Sequence, residues 1–179
     1  MEKRAAPTVT GADSEQSIHT ALTESVPART LVLLERGANI EARNARGATP
    51  LITAAAKGNL ALVALLLKEG AQVDAQDREG NTALHEASFQ SHPPCVEALL
   101  AAGAQTTIRN KLGFTPLHQA VRRFWETAGE SRADRLARQT TVINGLVHAG
   151  ADPGAPDQGG RTASVLALES DNAPLQQAL

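Results

Sequence analysis

Three histidines, His19, His85 and His118, are separated by 66 and 33 residues, and a single cysteine, Cys95, follows the second. Imidazoles can ligate zinc or move protons, and a thiolate can be a nucleophile or a metal ligand. If 33 residues make one helical unit stacked on the next, equivalent side chains lie about 8–10 Å apart. His85 and His118 are then too far apart to share a zinc at ~2 Å bond lengths. His92 and His148 have no cysteine or acidic cluster beside them. Cys95 aligns with Leu62 in an apolar stripe, which predicts a small buried core residue. A lone cysteine also excludes an internal disulfide and a multi-cysteine zinc site. Gly159-Gly160 lacks the lysine and the following helix signature of a phosphate loop. No acid/base pair or activated nucleophile can be singled out, so the sequence predicts no enzyme, no catalytic residue, no cofactor and no metal.

The elements that hold these residues are marked by repetition, which must be sought before secondary structure. Gly-Ala occurs at Gly37, Gly70, Gly103 and Gly150, spaced by 33, 33 and 47 residues. A second glycine series, Gly47, Gly80, Gly113 and Gly160, has the same intervals, and Thr49, Thr82, Thr115 and Thr162 each follow it by two residues. Asp77-x-x-Gly80 and Asp157-x-x-Gly160, with Asn44 and Asn110 in the other copies, suit type I turns. The threonine then serves as a helix N-cap, with proline tolerated immediately after it. Leu62, Val63, Leu65, Leu66 and Leu67 predict a second helix, which ends at Gly70 in the left-handed conformation of a C-cap. Pro27 and Pro93 fall early in their own second helices, where proline does least harm.

These residues resemble the ankyrin family: Thr49-Pro50-Leu51, Thr82-Ala83-Leu84-His85-x-Ala87 and Thr115-Pro116-Leu117-His118-x-Ala120, each followed by a Leu-Leu-x-x-Gly-Ala type ending. Ser17-Ile18-His19-x-Ala21 is a degraded first copy with an intact ending, Leu33-Leu34-Glu35-Arg36-Gly37-Ala38. The resemblance implies an all-α solenoid of stacked helix pairs with hairpin or turn fingertips. It also makes the recurring histidines part of the structural signature. The expected units are a tail at 1–13, repeats at 14–43, 44–76, 77–109 and 110–156, and a truncated C-terminal cap at 157–179. The fourth carries a 14-residue insertion, roughly Phe124 to Arg138, where Ser131-x-x-Asp134 marks a helix start.

Composition agrees with this reading. With three Phe, one Trp and no Tyr, packing falls to Ala and Leu, which favour closely spaced helices over strands. A net charge of −2 draws the protein to neither nucleic acid nor anionic membrane. Apolar runs such as Leu60 to Leu67 fall far short of the ~20 residues that span a bilayer. No export signal stands out at the N-terminus. The expectation is a cytoplasmic monomer, and the excess of arginine over lysine with abundant alanine suits a GC-rich bacterial genome.

Ankyrin proteins usually meet partners through the fingertips and the exposed side of the inner helices. Carried onto this chain, those positions include Arg43, Arg46, Lys57, Arg78, Phe89, Arg109, Lys111, Phe114, Arg122 and Arg123. Nine basic residues meet two acidic ones there, and Phe89 and Phe114 occupy places where sister repeats carry Ala, Asn or Arg. Trp125, in the insertion, either packs beneath it or faces a partner. Arginine and aromatic side chains are frequent interface anchors, so the sequence predicts a protein partner with an acidic surface, bound by an inhibitor, immunity or adaptor protein. The alternative is a nucleic-acid or other polyanion binder using the same face, although it lacks regularly spaced stacking platforms.

Overall fold

Each threonine at the head of a unit starts a helix by capping it. Thr49 has extended backbone, and its side-chain oxygen accepts from the Ile52 N–H at 3.3 Å. Pro50 occupies the first helical turn, where its missing donor costs nothing. Thr82 goes further: its oxygen accepts from the His85 N–H, while the His85 ring accepts the Thr82 N–H at 3.2 Å, a capping box with histidine in the usual Glu/Gln place.

The computed structural model describes residues 18–22, 24, 26–122 and 131–169. Helical residues 18–22 (α1) and α2 (Pro27–Glu35) open the chain. The pairs α3 (Pro50–Ala56) and α4 (Leu60–Lys68), α5 (Ala83–Phe89) and α6 (Pro93–Ala101), and α7 (Pro116–Arg122) and α8 (Arg132–His148) follow, then α9 (Ala163–Glu169). As expected, α2 and α6 begin at Pro27 and Pro93. The short helices form one row, with α5 packed between α3 and α7, and α7 against α9. The longer ones form the other, with α4 beside α2 and α6, and α6 beside α8.

Buried side chains make a continuous layer from Leu22 through Leu51, Leu66, Leu84, Leu99, Leu117 and Leu146 to Ala167, rather than one central core. That is the arrangement of units that cannot cover their own apolar faces. Among the described residues the fingertips contain turns and no strand. Neighbouring fingertips are joined backbone to backbone: Arg78 N–H to Arg46 O at 3.1 Å, Lys111 N–H to Glu79 O at 2.9 Å and Gln158 N–H to Leu112 O at 3.3 Å.

Two glycines show different requirements. Gly70 ends α4 with φ +88°, and an added Cβ would meet nothing within 4 Å, so only backbone conformation demands glycine there. Gly113, φ +77°, lies where a Cβ would come within 2.6 Å of the Gln158 backbone nitrogen, so the stacking of two fingertips demands it as well.

Helix α8 is 17 residues long where α6 has 9, and both stop two residues before a Gly-Ala pair. The eight added residues lengthen its N-terminal end by about 12 Å. It starts where the sequence indicates, with the Ser131 oxygen accepting from the Asp134 N–H at 3.1 Å. The Gln139 side-chain amide fastens the extension to the Ala120 carbonyl at 2.7 Å. No helix among the described residues is long and apolar enough to cross a membrane.

Candidate partner-binding face

The recurring histidines build the frame behind this face. The Nδ1 atoms of His85 and His118 accept the N–H groups of Thr82 and Thr115, each at 3.2 Å. That leaves the proton on Nε2, which donates across the unit boundary, from His85 to Phe114 O at 2.9 Å and from His118 to Arg161 O at 3.3 Å. Burial drives the His85 pKa down to about 4, and burial lowers that of His118 too, so both rings are neutral staples at neutral pH. His19 bonds at a different register, to Ala42 O at 3.0 Å. Cys95 is fully buried, and burial pushes its thiol pKa up, away from thiolate chemistry. Among the described residues no group of three His, Cys, Asp or Glu could hold a metal ion.

Several of the arginines expected at the surface do structural work as well. Arg43 donates to Gly47 O at 2.8 Å and to Gln76 O, one unit on, at 2.7 Å. Gln76 does the same to Gly80 O at 2.7 Å and Arg109 O at 3.3 Å. Arg109 repeats it with Gly113 O and Pro156 O. Arg78 reaches back to Ala45 O at 2.8 Å. A ladder of side chains thus ties each fingertip to its neighbour.

Phe114 is corrected by the structure. It was expected to face solvent, but it is only 4% exposed. Its ring lies against His118, with centroids 5.8 Å apart, and the exposed Arg122 guanidinium sits over it at 4.4 Å. Phe89 is half-buried, while Arg43, Arg46, Lys57, Arg78, Arg109, Lys111 and Arg122 are exposed. Arg123 and Trp125 lie outside the described residues, as do Phe124 and the rest of the insertion before Ser131.

The nine-to-two count also omitted carboxylates that the fold tucks beneath the face. Asp77, Glu86 and Asp157 are all buried. Glu86 lies 3.5 Å from the Arg46 guanidinium and accepts from the Asn81 side chain at 3.3 Å. Burial raises its pKa against the attraction of Arg46. Burial alone would also raise Asp157, but the N–H groups of Arg161 and Gly159 and the Arg161 guanidinium outweigh it and hold the carboxyl below its usual value. The face therefore buries Asp77, Glu86 and Asp157 beneath exposed bases, while Glu79 stays exposed at its fingertip.

Sequence reasoning missed two further features. Asn81 also joins the side chains of Asn110 at 2.8 Å and Gln119 at 3.5 Å, forming a polar seam between the third and fourth units. Leu112, 54% exposed, is an apolar tip on the fourth fingertip. Its counterparts Arg46, Glu79 and Gly159 show that an apolar residue in a polar register was the available signal.

A row of helix pairs stapled by histidines, with fingertips on one edge, defines a helical-repeat scaffold. The family model for ankyrin repeats (three copies) matches residues 18–110, just over half of the chain, and the protein belongs to the ankyrin-repeat family. Such repeats are general protein–protein interaction modules. No curated protein matches the sequence.

Proposed function

We propose that this protein binds one dedicated partner protein with an acidic surface, through the fingertip and inner-helix face, as an inhibitor, immunity or adaptor protein. The observation that carries the reading is the segregation of charge: buried Asp77, Glu86 and Asp157 beneath exposed Arg46, Arg78, Lys111 and Arg122. Such a surface steers an acidic partner and fixes its orientation. The module acts by occupying the partner's surface, with no chemistry of its own. Affinity capture from the native organism with mass spectrometry supplies the partner, and calorimetry tests the face. Changing Arg122 and Arg123 together to Glu should cost roughly 2 kcal/mol or more of binding. Undiminished affinity in that folded variant, or tighter binding to generic DNA with a steep salt dependence, would reject the reading.

A further inference from the structure

The arginines of this face are not equally available to a partner. Arg43 and Arg109 spend donors on carbonyls of their own and the next unit, and Arg78 donates to Ala45 O. Arg46 leans on Glu86, and Arg161 turns its fork onto Asp157 through Nε at 3.2 Å and Nη2 at 3.1 Å. Arg122 differs from these. Its described contact is with the π face of Phe114, and among the described residues its N–H donors make no hydrogen bond.

The platform under it is firmly held. Phe114 N–H donates to Asn110 Oδ1 at 3.0 Å, its carbonyl accepts from Asn110 N–H and His85 Nε2, both at 2.9 Å, and its ring rests on His118. An exposed arginine ordinarily loses side-chain entropy when a partner immobilises it, and stacking on a fixed ring reduces that loss. A guanidinium over a ring still offers its edge, a planar fork of donors that matches a carboxylate with two parallel bonds. The other units do not reproduce this pair. The same two positions hold Ala48 and Ala56 in the second unit and Asn81 and Phe89 in the third.

We propose that Arg122 is the anchor of the interface, taking a carboxylate of an acidic protein segment on its guanidinium edge, with Phe114 as its positioning residue. This rests on the acidic-partner reading above and sharpens it to one side chain.

The test uses the full chain and a decaglutamate peptide as stand-in for the acidic segment, in low-salt buffer at pH 7. Arginine side-chain N–H resonances and calorimetry are the readouts, and a matched duplex DNA is the second arm. The Arg122 Nε–H signal should shift and saturate with peptide. Arg122→Lys keeps the charge but removes the fork and should weaken binding about tenfold. Phe114→Leu should weaken it by a smaller factor and broaden the Arg122 signal. Lys68→Gln, a charge change on α4, should leave affinity within about twofold. Wild-type affinity in Arg122→Lys would overturn the anchor while leaving the acidic-partner reading intact. Absence of peptide binding by the wild type, or tighter binding of DNA, would overturn that reading and the anchor with it. Since Arg122 is exposed, Arg122→Lys decides the matter even if Phe114→Leu fails to fold.

Discussion

The third and fourth units share a skeleton and differ in what they present. In both, a threonine and a histidine lock the start of the short helix and reach to the next fingertip. In both, a glycine of positive φ ends the longer helix. The positions around the candidate face diverge: Asn81 and Phe89 in the third unit become the buried Phe114 and the exposed Arg122 in the fourth, buried Glu86 becomes buried Gln119, and the nine-residue α6 becomes the 17-residue α8. Skeletal positions answer to stacking, and the histidine staple recurs at the boundaries that follow these two units. Presented positions are not repeated from unit to unit: Phe114 and Gln119 pack into the fourth unit, while Arg122 stays exposed over the Phe114 ring.

The largest effect should come from lowering pH, which attacks the shared skeleton. A histidine whose folded pKa is depressed contributes stability that is complete above its unfolded value near 6.5 and is lost as pH falls toward the folded value. For His85, lowered to about 4, the loss from pH 7.5 to pH 4 is on the order of 3 kcal/mol, with His118 adding in the same direction. Urea unfolding at both pH values measures it. His85→Asn should flatten the pH dependence more than His118→Asn does, and equal flattening would show that the His85 pKa is not the more depressed of the two.

A smaller effect separates conformation from stacking. Gly70→Ala should cost about 1 kcal/mol and Gly70→Val more, because only the left-handed backbone is strained. Gly113→Ala should cost roughly 2–3 kcal/mol, since its Cβ also meets the Gln158 backbone at 2.6 Å. Thermal melting ranks the variants, and equal losses at Gly70 and Gly113 would mean that fingertip stacking tolerates a methyl group.

The smallest effect divides the arginines themselves. Arg109→Ala removes donors to Gly113 and Pro156 carbonyls and should cost about 1 kcal/mol of stability. Arg122→Ala should fall within about 0.5 kcal/mol, as for ordinary surface sites. Chemical denaturation compares them, and the reverse order would place Arg122 in the skeleton and Arg109 among the presented residues.

The skeleton was legible because every boundary solves the same packing problem. Two glycine series, the capping threonines and the Ser131 helix start state its solution in residue types with few alternatives. The candidate face was legible only in part. Basic residues could be placed on it by register, but register does not say what a long side chain reaches. Arg43 and Arg109 are ladder rungs because an adjacent carbonyl stands within reach of the guanidinium, and that carbonyl belongs to a residue 33 or 47 positions away.

By itself, then, the sequence determined the repeat, the helix boundaries and the burial of Cys95. Each follows from local propensity or from periodic burial that one unit states and the next repeats. Only the tertiary structure decided that Phe114 is buried under Arg122, that Asp77, Glu86 and Asp157 lie beneath the basic surface, and that Leu112 stands out at a fingertip. These depend on how one unit's side chains pack onto another, and so on distances between residues that no single repeat contains.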